Sequence, residues 1–332
     1  MEWKFGKWIY FTYWAWYSLD IMKEKDFISI IKNTLNSKYI GDDCAYLKDL
    51  GIVVTQDSLV EGVHFLLDKI TPFQLGYKSI MVNISDVSAS GAVVKYLTVA
   101  LSLPPDIDKN FIKEFYQGCK CACGKDVQIV GGDITGADKV FISVCAIGAT
   151  NGCRVSSRKN AKNGYKVIVA GNHGSSAIGL NLLINGKTEP KNLIKAHLEP
   201  HAKVEFGQYV GKNIKHDYAM MDTSDGLMDA LSTIAYESNV LLDIDFDKIP
   251  HDKEIEQFDN WQDFVLYGGE DYGIVAVVPS DFKYQNATVI GQAKDGQGID
   301  LHLQNKIIHL TKEDVENKVF SHFKENLWNT VQ

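Results

Sequence analysis

The sequence predicts an α/β fold with α+β character, built as two domains. Two observations set the class. Apolar runs of strand length alternate with helical stretches from residue 23 onward. The turns between them carry neither G-x-G-x-x-G nor G-x-x-x-x-G-K-[ST], so neither a dinucleotide-binding domain nor a P-loop is supported. A third observation divides the chain. Thr150 to Gly164 is rich in Asn, Gly, Ser and Lys and places a boundary near residue 150. At 332 residues, 45% of them hydrophobic, the chain can bury one large or two medium cores and is not a disordered polymer.

Each element has a local reason. Residues 23–36 carry Phe27, Ile28, Ile30, Ile31 and Leu35 near a 3.6-residue period, which makes an amphipathic helix. GDDCAYL, from Gly41 to Leu47, is a polar turn, and Gly51 to Thr55 is a short strand ending at Gln56 and Asp57. Residues 73–91 read as a helix with a small-residue face of Ser79, Ser85, Ser88, Ala89 and Gly91, which admits close approach of a backbone or a ligand. Leu97 to Leu103 is a strand stopped by Pro104 and Pro105. Residues 108–124 form a helix ending at Gly124. Val127 to Val130 is a strand running into Gly131, Gly132 and Asp133, and Val140 to Gly148 is another. Past the boundary, Tyr165 to Ala170 is a strand, and a Gly-Ser turn after it opens a helix. Residues 189–211 look helical throughout. Tyr218 to Asp222 is a strand ending in DTSDG, Leu227 to Ser238 a helix, and Val240 to Phe246 a strand by alternation. Gly273 to Val278 is a strand after GGEDY. The tail holds two short strands, near 287–291 and 307–310, and a last helical turn near 313–326.

Composition bounds the function. A net charge of −8 argues against a nucleic-acid partner. No run of about 18 uncharged apolar residues occurs, so no membrane-spanning helix is expected. Six cysteines make no disulfide scaffold, and a cytoplasmic location is expected. Cys119, Cys121 and Cys123 lack the C-x-x-C pairs of zinc sites and read as reduced structural thiols, with a metal or redox role as the alternative. Of 34 basic residues only Arg154 and Arg158 are arginine. The first 21 residues hold four of the six tryptophans without a helical or strand period. They are expected to lie outside the functional fold, with Met22 as the natural start.

The chemistry is carried by acidic turns. Asp42 and Asp43 follow a glycine, Asp57 ends a strand, Asp86 lies in NISD, and Asp133 follows Gly-Gly. Asp222 and Asp225 bracket Ser224, and Glu270 and Asp271 follow a second Gly-Gly. Carboxylates at strand ends converge where α/β ligand sites form. Converging carboxylates repel one another unless a cation sits among them, and hard oxygen donors select Mg²⁺ or Ca²⁺. The alternative is a set of unrelated helix caps and turn residues. Two calcium-loop lookalikes fail. The run from Asp222 has Thr233 at the twelfth position instead of Glu, and the run from Asp243 has Lys248 where the loop requires Gly.

Taken in order, GDDCAYL, TQDSLVEGVHF, NISDVSASGA, GGDITG, MMDTSDGL and GGEDY resemble the thiamine-monophosphate kinase family, within the superfamily of aminoimidazole-ribonucleotide synthetase-like proteins. The match covers residues 23 to 325. The resemblance implies two domains of mixed sheets flanked by helices: residues 22–150 for ATP, metal and dimerisation, and residues 151–332 to complete the nucleotide and substrate site. It implies ATP-dependent phosphorylation of thiamine monophosphate with several Mg²⁺ ions, in a homodimer joined through the N-terminal halves. Because the acceptor phosphate is already ionised, direct in-line transfer with no general base is expected.

Carried over by motif position, Asp42, Thr55, Gln56, Asp57, Asp86, Asp133, Asp222 and Asp225 are similar to metal ligands, with Gln56 where the family has Thr or Ser. Tyr116, Gly132, Asp133, Arg158 and Ser224 are similar to ATP contacts, and His64, Glu270 and Phe320 to substrate contacts. The loop after Arg158, RKNAKNGY, has lost the first Gly and final Asp of its motif, and Gly273 replaces a Glu. The rivals are another ATP-using member of the superfamily and a non-catalytic nucleotide- or metal-binding protein. The chain ends Asn329, Thr330, Val331, Gln332, without the terminal cysteine of the carbamoyl dehydratases, and has no cysteine before Cys44 for selenophosphate chemistry.

Overall fold

Two mixed sheets carry the site, in a computed structural model that describes residues 24–319. The segment 1–21, the expected start at Met22 and the expected substrate contact Phe320 lie outside the described residues. Helix α1 (Glu24–Leu35) belongs to a separate unit, with Glu24 and Asp26 in its first turn and Lys32 in its last, complementing the helix dipole.

In chain order the first sheet is built from β1 (Ala45–Leu47), β2 (Ile52–Val60), helix α2 (Pro72–Ala89), β3 (Val93–Leu103), helix α3 (Lys109–Cys123), β4 (Gln128–Gly136) and β5 (Phe141–Ala149). Its strand order is β1-β2-β5-β3-β4. β5 runs antiparallel to β2 and β3, and β4 runs parallel to β3. Val53 and Leu59 on β2, Leu97, Val99 and Leu101 on β3, and Ile142, Val144 and Ala146 on β5 join Leu75, Ile80 and Phe115 of the helices in one core. The other face is open. α2 begins at a capping box, Thr71 with Gln74, and has Pro72 at its first position. On α3, Cys119 and Cys123 are buried and Cys121 is exposed, because residues two apart on a helix point to different sides. The three thiols therefore do not converge.

The second sheet follows with β6 (Lys166–Ala170), α4 (Ser175–Ile184), α5 (Lys191–Leu198), α6 (Val204–Asn213), β7 (Ala219–Asp222), α7 (Leu227–Ser238), β8 (Leu241–Asp245), α8 (Trp261–Tyr267), β9 (Ile274–Val278), β10 (Thr288–Lys294), β11 (Gly298–Leu303), β12 (Lys306–Leu310) and α9 (Lys312–Glu316). The strand order is β12-β11-β8-β10-β6-β9-β7, antiparallel except for β8 with β11. One face packs on α4, α7 and α8 in the larger core. The other carries Ile168, Met220, Ile274 and Ala276 against Phe206 and Val210 of α6. The small-residue face of α2 meets α6: a Cβ added to Gly207 would lie 2.0 Å from the Ser88 carbonyl oxygen.

Four expectations are corrected. The strand expected to end at Gln56 and Asp57 runs on to Val60, and Gly131, Gly132 and Asp133, expected as a turn, lie inside β4. The helix over 189–211 is broken at Glu199–Lys203, where Pro200 offers no N–H donor, into α5 and α6. A strand not foreseen, β11, follows the Gly296-Gln297-Gly298 turn, whose glycines hid it. Among the described residues no helix is long and apolar enough to cross a membrane.

Candidate active site

Alternation along β2 sends Thr55 and Asp57 to the side of α2 and Gln56 to the opposite face. Thr55 Oγ1 donates to Asp86 Oδ2 at 2.6 Å. The backbone N–H of Asp57 donates to Asn83 Oδ1 at 3.1 Å. Ser85, beside Asp86 on α2, donates from Oγ to Asp222 Oδ2 at 2.7 Å, where β7 ends. Ser224 Oγ donates to the other oxygen of Asp222 at 2.8 Å. One carboxylate oxygen from each of Asp43, Asp86 and Asp222 lies within 4.8 Å of the others. Three chain segments, separated by up to 179 positions, thus meet at one point.

The electrostatics follow from that crowding. Burial, then Asp57, Asp222 and Asp43, push Asp86 well above the ordinary carboxylate range, against the Thr55 hydrogen bond. Burial raises Asp43 to about 7, opposed by Arg158 and reinforced by Asp222 and Asp42. Burial also raises Asp222, while Ser85, Ser224 and Arg158 hold it down. A buried trio of carboxylates so close cannot ionise together without a cation, and its all-oxygen donor set fits a hard divalent ion.

Arg158 closes the site from the second half of the chain. Its Nη2 lies 2.7 Å from Asp43 Oδ1, and its backbone N–H donates to Asp42 Oδ1 at 2.8 Å. Burial works against its charge, but Asp43, Asp42 and Asp222 outweigh that and hold the guanidinium ionised. Its Nε is buried without a hydrogen-bond partner, which leaves a donor for a ligand oxygen.

The GGEDY loop brings the rest. Glu270 and Tyr272 hold φ of 65° and 48°, left-handed values that side chains other than glycine rarely adopt. Gly174 and Ser176 donate backbone N–H groups to the two oxygens of Asp271 at 2.6 and 2.8 Å and so anchor the loop. Glu270 is held ionised: burial works against it, but Lys78, His197 and His64 prevail. His64 Nδ1 accepts the Val60 N–H at 3.0 Å. Burial raises the Tyr272 phenol, and the charges of Glu270, Asp57, Asp222 and Asp225 raise it further.

The expected site residues therefore divide. Thr55, Asp86, Asp222, Ser224, Arg158 and Asp42 are joined by hydrogen bonds and an ion pair at the trio, and Asp57, Asp225, His64 and Glu270 lie within electrostatic reach of it, of one another or of Tyr272. Asp42 spends its Oδ1 on Ser157 and Arg158, and Asp43, absent from the expected ligand set, supplies the carboxylate of the trio. The GDD motif held both, and motif position favoured the first. Gln56 and Asp133 stand on the open face of the first sheet. Gln56 Nε2 donates to Ser143 Oγ at 3.0 Å, and with Thr98, Ala100, Gly132 and Cys145 these residues line a depression of about 340 Å³. Tyr116 packs edge-on against Phe115, 5.4 Å between ring centroids, beside the first core. Lys78 and His197 escaped sequence reasoning. The one signal was a lone lysine in the otherwise uncharged run between Pro72 and Asp86.

The chain is similar to known proteins. Residues 41–150 match the family model described as AIR synthase related protein, N-terminal domain. A thiamine-monophosphate kinase of Aquifex aeolicus is 36% identical over 286 residues, covering 82% of this chain and 92% of that protein. One from Bacillus subtilis is 32% identical, covering 86% and 93%. The solved structure of AaThiL complexed with AMPPCP and TMP superposes with a TM-score of 0.81 at 34% identity, covering 91% of this chain and 97% of that one. The chain belongs to the thiamine-monophosphate kinase family.

Proposed function

We propose that this chain uses ATP to phosphorylate thiamine monophosphate to thiamine diphosphate. The observation that carries the reading is the trio of Asp43, Asp86 and Asp222 beside an ionised Arg158. It is supported by the relative solved with AMPPCP and TMP, a nucleotide analogue and a phosphate ester. Donor and acceptor are both anions, so the reaction is limited by charge. The oxygens of Asp43, Asp86 and Asp222, with Asp42, Asp57 and Asp225 nearby, would hold Mg²⁺ ions, which when bound neutralise phosphate charge and orient the two groups. Arg158 offers its free Nε–H to a phosphate oxygen, and Ser224 faces the same corner. Glu270 and His64 form the acceptor end. The acceptor oxygen is already ionised. It forms the new P–O bond as the bond to the ADP oxygen breaks, and no general base is required.

The chain acts as a homodimer in this reading, joined through residues 22–150, while residues 151–332 complete the site. Support comes from β4, an edge strand whose Val130 and Ile134 are 56% and 67% exposed, with Tyr96 on the neighbouring β3 at 47%. An apolar edge of this length invites pairing. Asp133, Gly132 and Gln56 lie on that sheet's open face and join the nucleotide and metal site through the assembled dimer. Tyr116 is placed at the nucleotide and Phe320 at the thiamine ring by motif position. A cytoplasmic location is consistent with six free thiols.

The test is ADP release from Mg-ATP by the purified full chain with a panel of phosphorylated acceptors, together with light scattering for mass. Turnover that requires both thiamine monophosphate and Mg²⁺, from a species of twice the chain mass, is expected. Turnover with a different acceptor assigns the chain another reaction of the superfamily. Nucleotide binding without turnover makes it a binding protein.

A further inference from the structure

Lys78 is buried in the middle of α2, its side chain 1% exposed. Its Nζ lies 2.9 Å from Oε1 of Glu270. The other carboxylate oxygen, Oε2, lies 3.3 Å from Nδ1 of His197 on α5. His197 is buried as well. Burial, then the Lys78 charge, push it down to about 3 against the pull of Glu270, so the ring is neutral. A neutral ring that faces a carboxylate through Nδ1 carries its hydrogen there. Ser176 Oγ lies 3.2 Å from the same nitrogen and steadies the ring. The Glu270 backbone N–H donates to the Ser224 carbonyl at 2.7 Å. Both carboxylate oxygens and the backbone of Glu270 are therefore engaged, while 25% of its side chain stays exposed for a ligand.

Stability does not account for the pair. A buried lysine loses its hydration, and exchanging a buried ion pair for apolar side chains of similar size is often neutral or stabilising. Lys78 also has a telling position. It precedes Ser85 and Asp86 by seven and eight residues, so all three fall on one face of α2. The helix that places Asp86 in the carboxylate trio thus also carries the ammonium group that holds Glu270.

We infer that Lys78 and His197 are positioning residues that clamp the two oxygens of Glu270, and so select phosphorylated acceptors that present a hydrogen-bond donor to that carboxylate. This rests on the kinase reading above. The protein matches the charge of Glu270 internally, so Glu270 meets the acceptor as an oriented hydrogen-bond acceptor.

Steady-state kinetics of the full chain test it, with acceptor and ATP varied separately. Glu270→Gln, Lys78→Met and His197→Leu should each raise the acceptor KM about ten- to a hundredfold and leave the ATP KM unchanged. His197→Asn keeps a donor at the Nδ1 position and should stay within about threefold of the parent chain. Lys78→Met combined with Glu270→Gln should be no worse than Glu270→Gln alone, because Lys78 acts through Glu270. An unchanged acceptor KM in Lys78→Met and His197→Leu overturns the inference, as do multiplying effects in the double variant or equal losses in His197→Asn and His197→Leu. If Lys78→Met does not fold, the two His197 variants decide. A parent chain with no turnover on thiamine monophosphate removes the kinase reading and this inference with it. A parent that turns over normally beside insensitive variants removes the inference alone.

Discussion

Asp86→Asn separates function from stability in opposite directions. Asp86, Asp43 and Asp222 bring carboxylate oxygens within 4.8 Å of one another, and two unit charges at that separation repel by about 3 kcal/mol in an effective dielectric of about 20. The metal-free protein avoids part of this repulsion by keeping a proton on Asp86, whose ordinary value is 3.8. Asparagine has no proton to hold, and its amide oxygen still accepts the hydroxyl of Thr55. In EDTA at pH 7 the variant should therefore be more stable by roughly 3 kcal/mol, or on the order of 5 °C in melting temperature for a chain of this size. Added Mg²⁺ should raise the melting temperature of the parent chain and hardly move the variant. Turnover should fall at least about a thousandfold, since a charged metal ligand is gone. Differential scanning fluorimetry with and without Mg²⁺, beside ADP release, measures all three. A variant that melts below the parent in EDTA, or that keeps near-normal turnover, would refute the reasoning.

Other outcomes follow from the same coordinates. Asp43 is raised from 3.8 to about 7, so the folded chain binds a proton that the unfolded chain has lost between those values. Metal-free stability should thus fall as pH rises from about 4 to about 7, and saturating Mg²⁺ should flatten the slope; melting curves in EDTA that rise over this range would contradict it. Arg158→Lys keeps the charge but loses the fork that reaches Asp43 at 2.7 Å and offers a free Nε. The ATP KM should rise about tenfold, as read in an ATP titration, and an unchanged value would remove Arg158 from the nucleotide site. Gly207→Ala would put a methyl group 2.0 Å from the Ser88 carbonyl oxygen, so α6 must move off α2. Its urea midpoint should drop by the equivalent of about 2 kcal/mol or more.

Much of the fold was legible because it is local. The alternation of Val240 to Phe246, the Gly124 stop and the Pro104-Pro105 break act within a few residues, and the strands and helices stand where those signals put them. The errors were local as well. Helical signals continue on both sides of Pro200, which breaks the helix, and the glycines at 296 and 298 disguise a strand. In the site, Gly beside Asp marked the acidic turns, and Asp86 and Asp222 join the trio. Choosing between Asp42 and Asp43 was beyond a motif, because both flank the same turn and only the approach of Ser157 and Arg158 claims one of them.

The sequence by itself determined the alternating architecture, the acidic character of the site and the family it resembles. Periodicity, turn chemistry and motif order are properties of the chain read in one dimension. Only the tertiary structure decided which carboxylates share a point, since Asp43, Asp86 and Asp222 meet through pairing and packing across many residues of separation. It also decided that Thr55 and Asp57 face that point while Gln56 turns to the opposite side of the sheet, where Asp133 also stands. And it alone brought Lys78 and His197 to the two oxygens of Glu270, because a contact between three distant segments leaves no pattern in any one of them.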